Sequence, residues 1–249
     1  MSRGARKLSS TGIYHVMLRG INRQRIFEDI EDCEKFLDIL AECKQISGFS
    51  IYAYCLMSNH VHLLIKEGPE KLEHIFKRIG VRYVYWYNRK YNRNGHLFQD
   101  RFKSEPVNDD SYLMTVIRYI HQNPIKAGLC DDILQYPYSS YMSYLRPEEK
   151  HLTDTDFVLS IMGKDEFVKF NLAQNDDTCL EQREMAFRLN DEQLSELLYK
   201  VTKCRNTAEF QALDITNRDK YIGQLRSEGL SIREVGRITG VSIGIVRKF

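Results

Sequence analysis

The sequence predicts a mixed α+β fold: a ferredoxin-like β-α-β-β-α-β domain with an extra helix behind it, followed by an all-α C-terminal region with a helix-turn-helix. Three observations predict it. Between Ile13 and Pro124, strand-like and helix-like runs follow in the order strand, helix, strand, strand, helix, strand, helix. Two of the strand-like runs are separated only by Ser58-Asn59, a hairpin signature. The end of the chain combines a capping box, a glycine turn and a basic last helix.

In chain order, Ile13–Arg19 reads as a strand closed by Gly20. Glu31–Ile46 carries Phe36, Leu37, Ile39, Leu40 and Cys43 on a helical period, and Gly48 is its stop signal. Phe49–Met57 and Val61–Ile65 are the hairpin strands. From Lys71 to about Tyr91, a long helix spaces Leu72, Ile75, Phe76, Ile79 and Tyr83 along one side. Asn92–Gly95 is a loop, and His96–Val107 is expected to be extended. Asp109-Asp110-Ser111 offers N-cap chemistry for a helix to Gln122, which Pro124 ends because it lacks a donor and restricts the residue before it. The segment Tyr136–Ser140 is a turn-rich exit. Three domains are expected: residues 1–145, an acidic and partly helical spacer at 146–215, and a DNA-binding segment at 216–249. In the last, Arg218–Glu228 is a helix stopped by Gly229, Ser231-Ile-Arg-Glu234 opens a second, Gly240 turns, and Ser242 caps a third bearing Arg247 and Lys248. The alternative for this segment is a three-helix module that contacts protein.

Composition bounds the function. Hydrophobic residues at 43% and charged residues at 28% are those of a soluble globular chain, with no apolar run of ~18 residues to span a bilayer. The N-terminus lacks the apolar core of a secretory signal, so a cytoplasmic protein without membrane association is expected. Six scattered cysteines without a C-x-x-C pair argue for free thiols and against a zinc ribbon. The net charge of +2 hides a segregation: residues 71–103 hold nine Lys/Arg against Glu73 and Asp100, together with eight aromatic rings. Residues 151–200 carry eleven acidic against five basic side chains, and residues 201–249 return to nine basic against five acidic. Cations for phosphates and rings for unstacked bases suit single-stranded nucleic acid, although the same rings can equally be core.

The chemistry-bearing residues cluster in two places. In the strand after Asn59, His60 and His62 point to one face with Val61 on the other, and two adjacent imidazoles are half of a metal site. Tyr119 and Asn123 lie four apart on one helix, so a hydroxyl and a carboxamide oxygen share a face. A carboxamide with two imidazoles suits a hard, exchangeable divalent cation, Mg²⁺ or Mn²⁺, better than structural zinc. A zinc hydrolase using His60, His62 and a carboxylate lacks an acidic ligand at short spacing.

His60-Val-His62, Gly95-His-Leu-Phe-Gln-Asp-Arg-Phe102 and Arg118-Tyr119-Ile-His-Gln-Asn123-Pro-Ile-Lys-Ala-Gly-Leu129 occur in this order. Together with Tyr14-His-Val-Met-Leu-Arg-Gly20 and Tyr136-Pro-Tyr-Ser-Ser-Tyr141, they make residues 10–145 resemble the single-tyrosine HUH transposases, above all their REP-associated branch. The resemblance implies a metal-dependent endonuclease and strand transferase acting on single-stranded or hairpin DNA through a 5′-phosphotyrosine. His60 and His62 match the family's metal ligands, Tyr119 its nucleophile and Asn123 its further polar ligand. His15, on the strand expected beside His62, is a candidate for DNA contact or site support, ahead of His121. Arg101, Lys103, Arg247 and Lys248 are candidate phosphate contacts. The competing reading is a nucleic-acid-binding regulator that keeps the fold without turnover. Monomer and homodimer, with the tyrosine acting in cis or in trans, both stay open.

Overall fold

Two short-range signals set the first helix. In the computed structural model, which describes residues 6–99, 101–149, 151–177, 179–180, 191–228 and 230–249, α1 (Ile30–Ser47) starts at a capping box. Asp29 accepts from the Asp32 amide at 3.1 Å while the Asp32 carboxylate accepts from the Asp29 and Glu28 amides. The helix ends at Gly48, whose φ of 65° only glycine adopts readily. The strands are β1 (Ile13–Arg19), β2 (Ser50–Met57), β3 (His60–Lys66) and β4 (Lys103–Val107); the other helices of this part are α2 (Leu72–Lys90) and α3 (Asp110–Lys126).

All neighbouring strands are antiparallel, in the order β2-β3-β1-β4, and the ferredoxin-like reading of the sequence holds. Alternation assigns Val16, Leu18, Val61, Leu63 and Ile65 to one face, where Phe36, Leu40, Ile79 and Tyr83 of α1 and α2 complete a core. The opposite face takes Cys55, Met57, Leu64 and Val107 against Leu113, Val116, Ile117 and Ile120 of α3. A bulge between Ile51 and Ala53 explains why Tyr52 and Ala53 join the same core although they are consecutive.

Several expectations are corrected. Pro124 does not end α3, which runs on to Lys126. The ring removes only one donor, and the last turn is held by bonds from Ala127 to Asn123 and from Leu129 to Pro124, each 2.9 Å. Among the described residues of 96–107, only Lys103–Val107 is strand, with Phe98 forming an isolated bridge to Gly20. Tyr136–Ser140 is no exit: Leu56 donates to the Tyr138 carbonyl at 2.9 Å, Ser140 donates to that of Tyr54 at 3.0 Å, and the Tyr136 hydroxyl donates to Leu56 at 2.6 Å. This segment covers the outer edge of β2.

The chain forms two compact units, Met1–Gln182 and Arg183–Phe249, rather than dividing at 145 and 215. The physical reason is burial beyond residue 145. Helices α4 (Tyr141–Leu145), α5 (Asp156–Ile161) and α6 (Lys164–Leu172) insert Tyr144, Val158 and Phe167 into the α3-side core. Two acids of the supposed spacer are paired there, Asp154 with Lys44 at 2.7 Å and Asp177 with Arg118 at 2.7 and 3.0 Å.

The second unit is helical: α7 (Asp191–Thr202), α8 (Thr207–Gln211), α9 (Ile215–Ser227), α10 (Ile232–Thr239) and α11 (Ile243–Val246). Leu194, Leu198, Phe210, Ile222, Leu225, Val235 and Val246 form its core. The Ser231–Glu234 capping box is present, and Gly240 has φ 67° with Thr207 and Gln211 packed where a Cβ would lie. Asp214, accepting from the Asn217 amide at 3.0 Å, starts α9 before the expected Arg218. Gly229, the expected stop, lies outside the described residues. Ser242 precedes α11 without a side-chain cap, and α11 is a single turn, with Arg247 and Lys248 exposed just beyond it.

Candidate active site

β3 begins at His60, so the period of two sends His60 and His62 to the α3 face while Val61 enters the opposite core. The two rings stand 4.9 Å apart at 88°. Antiparallel pairing sets Arg19 opposite His60 and Met17 opposite His62. From β1, His15 reaches diagonally, and its Nε2 lies 2.9 Å from His62 Nδ1. Asp109, accepting from the Tyr112 amide at 2.7 Å, starts α3 so that Tyr119 faces the sheet. The Tyr119 ring is 5.6 Å from that of His62 and 5.8 Å from that of His15, with Asn123 one turn further on. The four residues singled out for chemistry, and His15, therefore meet at one place on the sheet.

The site is dry. His62 and His15 are fully buried, and Tyr119 is 1% exposed. Burial, helped by the nearby Arg19 charge, pushes the His60 pKa down to about 3, and burial holds that of His62 well below the usual range. Both imidazoles are neutral at pH 7 and offer lone pairs. Burial pushes the Tyr119 phenol up to about 12, against the opposing effect of the Asn123 carboxamide beside it.

These residues fit a divalent cation. Nδ1 of His60 lies 2.6 Å from Asn59 Oδ1, and Nδ1 of His62 meets His15, so Nε2 is the nitrogen by which each ring would coordinate. Asn123, whose side chain hydrogen-bonds the Tyr119 hydroxyl, carries the carboxamide oxygen that would be the third donor. No group of three or more His, Cys, Asp or Glu side chains there could hold a metal, and only with the carboxamide does the set reach three.

The remaining candidates scatter. Lys103 is half-buried on β4 beside Met17, Arg19, Gln99 and Phe102, and Arg101 is exposed before it. Arg247 and Lys248 belong to the second unit. His121 is structural: its Nδ1 lies 2.9 Å from Asn171 Oδ1 and its Nε2 2.8 Å from Ser140 Oγ. Much of the basic and aromatic segment 71–103 serves the fold. Phe76, Tyr83 and Tyr87 are core, Lys90 meets Asp29, Glu31 and Asp32 at 2.7–2.9 Å, and Arg78 and Arg82 pair with Glu70 and Glu42. Asn59 and Arg19 were not anticipated as site residues. The antiparallel register of β1 on β3 is the signal that points to Arg19.

Residues 9–123 match the family model described as "Transposase IS200 like". A curated relative from Haemophilus influenzae, described as a REP-associated tyrosine transposase, is 29% identical over 112 residues, which cover 40% of this chain. The match spans only 63% of that relative's length. The solved structure of a REP-associated tyrosine transposase bound to a REP hairpin superposes with a TM-score of 0.50 at 17% identity, covering 64% of this chain and 93% of that one. Its likeness is one of fold. Residues 9–123 are thus similar to the IS200-like transposases.

Proposed function

We propose that this protein is a metal-dependent single-stranded DNA endonuclease and strand transferase in which Tyr119 is the nucleophile. The observation that carries the reading is the convergence of Tyr119, His60, His62 and Asn123 at one buried point, built by a single chain. His60, His62 and Asn123 would hold Mg²⁺ or Mn²⁺, which supplies positive charge at the scissile phosphate.

The chain's own groups do the rest. Tyr119 Oη attacks phosphorus and forms a P–O bond while the bond from phosphorus to the 3′ oxygen of the neighbouring nucleotide breaks. The phenolic proton is lost, and the leaving 3′ oxygen takes up a proton. The covalent 5′-phosphotyrosine keeps the phosphodiester energy, so a second 3′-hydroxyl can reverse the step on a new strand without ATP. A phenol pushed up to about 12 is protonated at neutral pH, and positive charge from Arg19 acts to lower it. The second unit, with its capping box, Gly240 turn and exposed Arg247 and Lys248, is assigned as a helix-turn-helix that grips duplex or hairpin DNA.

The competing reading, a nucleic-acid-binding regulator without turnover, draws support from the burial of the Tyr119 hydroxyl. Covalent capture of labelled single-stranded oligonucleotides in Mn²⁺ decides between them. Wild type should give a denaturant-stable adduct that maps to the Tyr119 peptide and disappears in Tyr119→Phe, while Tyr112→Phe retains it. An adduct that survives in Tyr119→Phe removes Tyr119 as nucleophile, and no adduct in any form establishes the regulator.

A further inference from the structure

We infer that a groove between α2 and the His96–Phe102 loop is a second nucleic-acid subsite, which receives an unstacked base of a single strand leading to the candidate active site. It has a volume of about 690 Å³, within the ~300–1,000 Å³ typical of small-molecule sites. Phe76 and Phe102, with ring centroids 4.6 Å apart, lie buried beneath it with the Arg6 guanidinium 3.6 Å over the Phe102 ring, and Val81, Val84 and the half-buried Phe98 line it. Lys77 and Arg101 are exposed cations on the rim, and among the described residues the acid on that rim, Glu73, is paired with Arg6 at 2.6 Å. An apolar slot with a cationic rim complements a base joined to phosphates.

Gly80 argues that the space is kept open. It lies in the interior of α2, where glycine is the poorest helix former short of proline, and it has no left-handed φ to justify it. Nothing lies within 4 Å of where its Cβ would stand, so packing does not demand it either. Any longer side chain there would project into the groove that Gly80 lines. Position supplies a further argument. Gln99 and Phe102 line the groove and also the small cavity with Met17, Arg19 and Lys103. Met17 and Arg19 are the register partners of His62 and His60. The groove thus adjoins a small cavity lined by the register partners of the two histidines.

The identification of the ligand as single-stranded DNA rests on the function proposed above, so the test reads binding and cleavage separately. Affinity for a short fluorescent oligothymidylate is compared with that for an abasic phosphodiester of equal length and charge, in wild type, Gly80→Ala, Gly80→Leu and Lys77→Gln. Wild type and Gly80→Ala should prefer the base-bearing strand about tenfold, the scale of one stacked base. Gly80→Leu should melt no lower than wild type yet lose that preference. Lys77→Gln is a surface change that does not threaten folding, and it should reduce the salt dependence of binding by about one phosphate contact. If Gly80→Leu and Lys77→Gln both bind as wild type, the groove assignment falls, whatever the adduct assay gives. No preference for bases in wild type overturns it equally. If no Tyr119 adduct forms while Gly80→Leu loses the preference, the nuclease reading fails and the groove stands.

Discussion

At the scale of single residues, His15 and His121 show how one side-chain type serves two ends. Both are fully buried, and both rings are held by named partners. His15 lies against His62, so on the proposed metal site His15→Ala should leave the imidazoles of His60 and His62 in place yet weaken Mn²⁺ binding about tenfold to a hundredfold, the usual effect of losing a ligand's orienting partner. Titration calorimetry with Mn²⁺ checks this, and an unchanged affinity would remove His15 from the site. His121 instead affects stability. Its pKa is pushed from 6.5 down to about 4 by burial. The unfolded chain therefore takes up a proton that the folded chain refuses. Stability is full above pH 6.5 and falls as pH drops toward 4, by roughly 1–2 kcal/mol between pH 7 and pH 5. His121→Gln keeps a polar side chain but cannot titrate, so denaturant unfolding of this variant should show a shallower loss over that pH range. Sequence spacing alone separated these two histidines poorly. The H-x-H alternation on β3 fixes the direction of two rings, whereas the partners of His121 come from Ser140 and Asn171, which no local pattern ties to α3.

At the scale of elements, helix ends and strand alternation were legible because their causes lie within a few residues. Asp109, Ser231, Gly48 and Gly240 mark helix boundaries by chemistry that the neighbouring sequence contains. The misread elements depend on distant partners. Tyr136–Ser140 looks like a turn until β2 offers it backbone bonds, and Pro124 looks like a stop until the last turn of α3 is held by donors beyond it. The basic and aromatic run misleads in the same way, since the acids that take up Lys90 come from α1 and its cap. Because caps act locally, Asp109→Ala should lower the stability of the first unit by about 1 kcal/mol, and Ser231→Ala that of the second by a similar amount. Calorimetry should show each substitution moving its own unfolding transition. A shift of both transitions by either substitution would mean that the two units unfold as one.

At the scale of the whole molecule, the division into Met1–Gln182 and Arg183–Phe249 changes where the chain should be cut. The expected start of the helix-turn-helix segment at residue 216 suggests ending near Leu213. That cut would strip Ile222, Leu225, Leu230, Val235 and Val246 from the core of the second unit and leave Leu194, Leu198 and Phe210 exposed. Contiguous apolar surface of that kind promotes aggregation. Ending the chain after Leu180 keeps the side chains that α5 and α6 bury against α3, and with them the support behind Tyr119. The shortened protein should melt cooperatively and form the Tyr119 adduct at high oligonucleotide concentration. It should lose most of its affinity for duplex or hairpin DNA, because Arg247, Lys248 and the Gly240 turn are gone. The chain ended at Leu213 should precipitate or bind hydrophobic dyes. Binding to a DNA hairpin, measured from low to moderate salt, provides the check, since each lost phosphate contact flattens the dependence on salt by about one unit. If the chain ended after Leu180 binds the hairpin as tightly as the full chain and with the same salt slope, the second unit does not read DNA.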